Sequence, residues 1–194
     1  AVQISDDRNY PLIIDSHCCN SALGPGVVGF NTGHIYDLDA TDPVTLSQAL
    51  VHGRRMAAQY RDALAHYLPA AFGNGHLVAT GSLMGVRETR RIVGDYVLTL
   101  DDYLRRATFK DEICRNAYYL DVHLSLKERR LYDHGETRIM QKRDLRYKPG
   151  ESHGIPYRCL CPRDLTNVLV AGRSISTDRR TQGSTRVMPV CLAM

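Results

Sequence analysis

Apolar and polar positions along this chain follow two periods, and the clearest run has the helical one. Thr41-Asp42-Pro43 supplies a cap and a proline for a first helical turn. Val44, Leu46, Ala49, Leu50, Met56, Ala57, Tyr60, Leu64 and Leu68 then recur on one face until Pro69 stops the run. This spacing predicts a helix from about residue 43 to 68 with Arg54, Arg55, Arg61 and His66 off its core face. From Val86 to Leu98 the alternation Val86, Glu88, Arg90, Ile92 against Arg87, Thr89, Arg91, Val93 predicts a strand, with Gly94 as a bulge. Thr99-x-x-Asp102 predicts a capped short helix through Arg106.

Shorter apolar runs complete the pattern. Pro11–Asp15, Gly26–Phe30, Tyr118–Val122 and Ile155–Leu160 read as strands, while Lys127–Gly150 is polar and turn-rich and reads as a surface hairpin or excursion. Val168–Ala171, ended by Gly172, suits a strand buried on both faces. Pro189 suits the first turn of a terminal helix, because a first-turn residue needs no N–H. Five residues follow it, too few for a self-supporting helix, which reads as the start of an element completed elsewhere.

Composition narrows the classes. A chain of 194 residues can hold one substantial core or two small domains. Its net charge of +4 comes from scattered Lys and Arg without long basic blocks, which argues against nucleic acid as a partner. No run of eighteen apolar residues is present to cross a membrane. Cys18, Cys19, Cys114, Cys159, Cys161 and Cys191 are expected as buried free thiols, since neither close pair has the two-residue spacer of a zinc or iron-sulfur loop. No metal site is expected.

Several motifs carry candidate chemistry. Gly24-Pro25-Gly26-Val27-Val28-Gly29 satisfies the dinucleotide fingerprint but lacks the helix that must follow it, so a decoy is expected. Leu77-Val78-Ala79-Thr80-Gly81 imitates a flavoprotein turn and is equally well a strand end. In Arg87-Glu88-Thr89-Arg90-Arg91, strand geometry sends Glu88 and Arg90 to one face. Glu88 then pairs with an arginine to brace the sheet, or an arginine binds an anionic group. Asp121-x-His123 and His153 through Arg158 hold the best acid and base candidates.

Taken together, these stretches resemble the family of FAD-dependent oxidoreductases related to one subunit of heterodisulfide reductase, many of them bacterial. The resemblance rests on Asp39-x-Thr41-Asp42, Gly53-Arg54-Arg55, Gly85 through Tyr96, Tyr119-x-Asp121-x-His123, Ile155 through Leu160, and Val168 through Met194, in matching order and spacing from about Phe30 onward. It implies an α+β fold: a mixed-sheet substrate domain, residues 1–163, followed by the last strand and start of the last helix of a Rossmann-type FAD domain, residues 164–194. It also implies hydride transfer between a small substrate and FAD. Arg90, His123, Tyr157 and Arg158 would serve catalysis on the substrate side, and Gly172, Arg173, Arg186 and Met188 would lie at the cofactor.

Two departures from the family pattern qualify this. The N-terminal FAD-binding unit with its true glycine fingerprint and the Gly-Gln-Ala-Ala-Gly continuation of the last helix are not found in the sequence, and neither are four-cysteine iron-sulfur loops. The chain is therefore expected to be the latter part of a flavoprotein that by itself does not hold FAD. Its expected partners are a small-molecule substrate and the rest of its own FAD domain, with homo-oligomerisation left open. A cytoplasmic location is expected, and a secreted or periplasmic one is left open by the N-terminus. The alternative is a non-catalytic binding or assembly module without cofactor.

Overall fold

A computed structural model describes residues 2–5, 7–15, 17–122 and 146–194, which fall into two compact units, Ala1–Gly85 and Val86–Met194. The described residues are α+β, with helices and two short antiparallel sheets.

In the first unit, a one-turn helix α1 (Val2–Ser5) precedes a hairpin of β1 (Cys18–Gly24) and β2 (Val27–Thr32). Its register pairs Cys18 with Thr32 and Asn20 with Phe30, with an irregularity between Ala22 and Gly24. Helix α2 (Pro43–Tyr67) is the expected one. The Asp42 carboxylate accepts from the Val44 and Thr45 amides at 3.1 and 3.2 Å, satisfying donors that a helix start leaves open. Pro69 ends it and opens a second short helix, α3 (Pro69–Phe72). Ala49, Met56, Tyr60 and Ala63 form the buried stripe, and Met56, Tyr60 and Ala63 pack with Ile4 and Ile13. Val44 and Leu68, expected on that stripe, are exposed because they lie at the helix ends.

The strand expected over Pro11–Asp15 is instead a turn followed by irregular backbone. Its amides find other partners: Ile13 N–H donates to the Tyr10 carbonyl at 3.0 Å and Leu12 N–H to Gln59 Oε1 at 2.9 Å. The Leu77–Gly81 stretch is irregular, with Leu77 and Val78 exposed.

The second unit contains α4 (Leu100–Arg105), a ladder of β3 (Glu112–Asn116) with β4 (His153–Pro156), α5 (Arg179–Thr185) and α6 (Met188–Ala193), with 3₁₀ turns at Tyr157–Cys159 and Gly172–Ser174. Leu98, Ile155, Cys159, Leu160, Ile175 and Val190 form its apolar centre. The Thr99 capping box is present: Asp102 N–H donates to Thr99 Oγ1 at 3.3 Å, and Thr99 N–H to Asp102 Oδ2 at 2.9 Å. Pro189 lies in the first turn of α6, as expected.

Other expected strands are corrected. Val86–Leu98 runs between two partners without a continuous ladder. Ile92 and Leu98 donate to Ser174 and Ser176 on one side, while on the other Asp95 donates to Cys161 and Val93 accepts from Arg163. Only isolated bridges remain, Gly94 to Pro162 and Leu98 to Thr177. Glu88 pairs with Arg91, three residues on, which a flat strand would place on the opposite face. The pair therefore closes a local bend and braces no sheet. Tyr118–Val122 is irregular, and the Ile155–Leu160 strand stops at Pro156. Val168–Ala171 forms no strand either, and Val168 and Leu169 are exposed. The mixed sheet gives way, among the described residues, to two antiparallel ladders. Residues 123–145, which include most of the expected polar excursion, lie outside the described residues.

Gly94 explains why the long segment can pass so close to its neighbours. A Cβ there would lie 2.8 Å from Ser176 Cβ and 3.0 and 3.1 Å from the Arg158 and Cys161 carbonyl oxygens. Replacing Gly94 with alanine is expected to destabilise the protein by about 1–3 kcal/mol, because backbone must move to admit the methyl group. Gly85, where a Cβ meets nothing within 4 Å, is the control, and its alanine variant should stay within about 0.5 kcal/mol of the parent in the same denaturant titration.

Candidate functional site

Small polar residues draw α5 against irregular backbone. Its start is fixed by Asp178, whose Oδ1 accepts from Thr181 N–H at 2.7 Å and whose Oδ2 accepts from Leu100 N–H at 2.6 Å. Thr181 through Thr185 are all buried. Gly183 allows the approach, since a Cβ would sit 2.9 Å from Val122 Cγ2 and 3.1 Å from the Asp121 carbonyl carbon. Backbone carbonyls that no ladder satisfies are met by side chains: Gln182 Nε2 donates to Arg87 O at 2.8 Å, and Ser184 Oγ to Tyr118 O at 2.6 Å. Asn116 Nδ2 donates to Ser184 Oγ at 2.8 Å.

Arg186 follows at the end of α5. Its guanidinium donates to Asp121 Oδ2 at 2.6 Å and to the Asp121 carbonyl at 3.0 Å, with its side chain 11% exposed. Arg87 Nη1 lies 3.7 Å from the same carboxylate oxygen. Two guanidiniums thus share one carboxylate, and these three groups together carry one positive charge in excess. Burial pushes the Cys191 thiol up, while Arg173 and Arg186 pull it the other way, so both guanidiniums lie within electrostatic reach of Cys191. Arg173 donates to the Val86 carbonyl. The turn containing Gly172 and Arg173 packs against α6, on whose first turn Met188 is exposed. The Gly172–Arg173 turn thus lies against the helix that begins at Met188, two residues after Arg186.

The substrate-side candidates come from separate segments. Arg90 is exposed on the irregular Val86–Leu98 segment, and Tyr157 is exposed at the start of its 3₁₀ turn. Arg158 Nε donates to Asp111 Oδ2 at 2.9 Å, and its guanidinium lies over the Tyr96 ring 5.0 Å from the centroid. Arg158 holds the Asp111 carboxyl below the usual carboxylate range, which marks a surface staple. His123 lies outside the described residues.

His153 is fully buried. Its Nδ1 is 2.9 Å from Tyr147 Oη, which donates to the Tyr103 carbonyl at 2.6 Å, and the Tyr103 and Tyr147 rings stack at 4.4 Å. The Tyr147 hydroxyl is used as a donor, so Nδ1 carries the imidazole proton and Nε2 is left buried without a partner. Burial first, and then Arg115, push its pKa down to about 4. It is neutral near pH 7 and serves the fold rather than proton transfer.

Sequence reasoning did not find Asn116, Asp178, Gln182 or Ser184. The run Thr-Gln-Gly-Ser-Thr from Thr181 was the available signal: small polar residues without an apolar stripe mark a helix that packs on backbone. The cysteines are unpaired as expected, but only Cys159 is buried, and Cys19 is exposed. Burial raises the Cys159 thiol to about 12.

The glycine fingerprint lies in the β1–β2 hairpin: Gly24 ends one strand and Gly29 sits within the next. No helix N-terminus follows it, so this run builds no phosphate cradle. At the other end of the chain the residues do suit a flat ring. Gly172 has φ +81° and open space where a Cβ would be, so bare backbone faces an unobstructed approach. Ser176, Thr177 and Thr181, just beyond it, have buried hydroxyls without partners. Among the described residues, the open turn at Gly172 leaves room for a flat ring to approach, whereas the Gly24–Gly29 hairpin offers a phosphate no helix N-terminus.

The chain belongs to the FAD dependent oxidoreductase family, whose model matches residues 13–194. No curated protein and no solved structure matches it.

The buried His153 makes stability depend on pH with a definite sign. The unfolded chain binds a proton near pH 6.5, whereas the folded chain resists it until about 4. Its contribution is therefore complete above pH 6.5 and is lost as pH falls toward 4. Comparing unfolding free energies of the parent and His153→Gln at both ends of that window should show a difference that changes by about 3 kcal/mol. Parallel curves would mean that His153 titrates normally.

Proposed function

We propose that the chain forms the substrate side and the flavin-facing end of an FAD-dependent oxidoreductase that passes hydride between a small substrate and the flavin. The packing of the Gly172–Arg173 turn on α6, which begins at Met188 just after Arg186, carries this reading. In it, residues up to Arg163 belong to the substrate domain, and residues from Asp164 complete a Rossmann-type FAD domain. Val168–Ala171 would pair there as its returning strand, which accounts for an apolar run left exposed. When bound, FAD supplies a two-electron acceptor or donor. Gly172 lets backbone approach the ring. Arg186, fixed by Asp121, and Arg87 beside it hold positive charge in place before negative charge develops, so little reorganisation is needed. Arg90 and Tyr157, both exposed, would bind an anionic substrate group or hand on a proton, with His123 and Arg158 in the same role.

The phosphate-binding part of the cofactor site is proposed to lie outside these 194 residues, a reading supported by the hairpin at Gly24–Gly29. Unpaired cysteines support a reducing, cytoplasmic setting. Flavin absorbance after gel filtration with added FAD tests the division: the 194-residue chain should retain no stoichiometric flavin. Retention would place the pyrophosphate site within it.

In the FAD-loaded enzyme, Arg186→Ala should slow flavin reduction roughly ten- to a thousandfold, the range for loss of one preorganised charge. Stopped-flow reduction measured beside the thermal midpoint separates chemistry from folding. An unchanged rate would remove Arg186 from the site, and an activity loss that merely tracks a lower midpoint would make it structural.

A further inference from the structure

In the first unit a second group of reactive side chains converges on one end of the β1–β2 hairpin. His17 and Cys19 are two residues apart in extended chain, so their side chains share a face. Cys19 Sγ lies 3.9 Å from His17 Nε2, within reach of a sulfur–imidazole hydrogen bond. His17 is held in turn on several sides. Its amide donates to Asp15 Oδ1 at 2.9 Å, and its carbonyl accepts from Thr32 Oγ1 at 2.6 Å. Its ring lies against that of His34, with centroids 4.8 Å apart. The His34 Nδ1–H donates to Asp15 Oδ2 at 2.8 Å, since a carboxylate only accepts.

Asp15 is the anchor of this arrangement. Burial pushes its carboxyl up, but hydrogen bonds from His34, the His17 amide and Tyr36 outweigh that and hold it below the usual range. A charged carboxylate therefore fixes His34, and His34 backs the His17 ring. Cys19 itself is exposed on a strand whose following residues are exposed too. Approach from solvent is open to a small solute.

We propose that Cys19 is a nucleophilic thiol that hydrogen peroxide or another small hydroperoxide oxidises to sulfenic acid, with His17 as its proton carrier. His17 Nε2 takes the thiol proton. A sulfur lone pair attacks the nearer peroxide oxygen, an S–O bond forms and the O–O bond breaks. Sulfur is oxidised by two electrons, the peroxide is reduced, and the leaving oxygen takes the proton back from His17 as water or an alcohol. The reaction needs no group beyond the thiol, the imidazole and the peroxide. Selectivity follows from surroundings: Cys159 is buried, and Cys114 and Cys191 have thiols that burial pushes up.

Limited hydrogen peroxide followed by dimedone trapping and peptide mass spectrometry, on the whole 194-residue chain, tests this. Cys19 should label at least about tenfold faster than Cys161, and His17→Ala or His17→Asn should remove that advantage. Free imidazole should restore labelling in His17→Ala, an outcome that a merely structural histidine would not give. Asp15→Asn should slow labelling severalfold and respond to imidazole in the same way, as expected of a positioning residue. Cys18→Ser should leave the Cys19 rate unchanged. Equal rates at Cys19 and Cys161, or a His17→Ala variant that labels like the parent or is not rescued, would overturn the proposal.

Discussion

Asp102 is a carboxylate that the second unit has almost entirely removed from water, and much of the unit is arranged to make that tolerable. It is 1% exposed. Thr99 contributes its amide and hydroxyl at 2.9 and 2.8 Å, Tyr96 its hydroxyl at 3.0 Å, and Arg105 a guanidinium N–H at 2.6 Å. Leaving such a charge short of donors would cost several kcal/mol, so these groups are not free to move independently. Tyr96 records the constraint: burial and then Asp102 push its hydroxyl up to about 12. Because Tyr96 and Thr99 flank Leu98, the same network sets where Leu98 enters the core. From there Asp178 N–H donates to the Leu98 carbonyl at 2.9 Å, and the Asp178 carboxylate caps two helix starts. Two carboxylates thus perform the joining that longer ladders perform in other α+β units.

Local chemistry is legible in the sequence, and long-range pairing is not. The Asp42 cap, Pro43, the α2 stripe, the Thr99 box and Pro189 each act within one helical turn, so a short window contains both partners. The Val86–Leu98 alternation has a real strand period, yet its hydrogen bonds go to two different segments more than sixty residues away and are broken at Gly94. Val168–Ala171 departs from expectation for a related reason. A run of apolar residues states a preference for burial but not what will cover it, and here, among the described residues, its backbone tie is the Val170 N–H to Leu160.

The candidate site divides along the same line. Gly172, Arg173, Arg186 and Met188 come from one continuous stretch, and the turn holding the first two packs on the helix that holds Met188. Arg90, Tyr157 and Arg158 are joined only by resemblance, and Arg158 is engaged with Asp111 and Tyr96. Asp121 stands out in the sequence as a possible acid or base. Its role toward Arg186 depends on a contact across sixty-five positions, which no spacing rule reports.

The stacked Tyr103 and Tyr147 rings give the molecule an optical property of its own. With no tryptophan and eleven tyrosines, its intrinsic ultraviolet emission comes from phenol rings alone. Tyr103 and Tyr147 lie within 16° of parallel, and the Tyr147 hydroxyl is tied to a carbonyl and an imidazole. Stacked rings couple electronically, and the Tyr147 hydroxyl donates to the Tyr103 carbonyl, so this pair is expected to emit weakly while the second unit is folded. Opening that unit separates the rings and brightens them. The chain therefore carries a built-in spectroscopic reporter for one of its two units, readable without any attached dye.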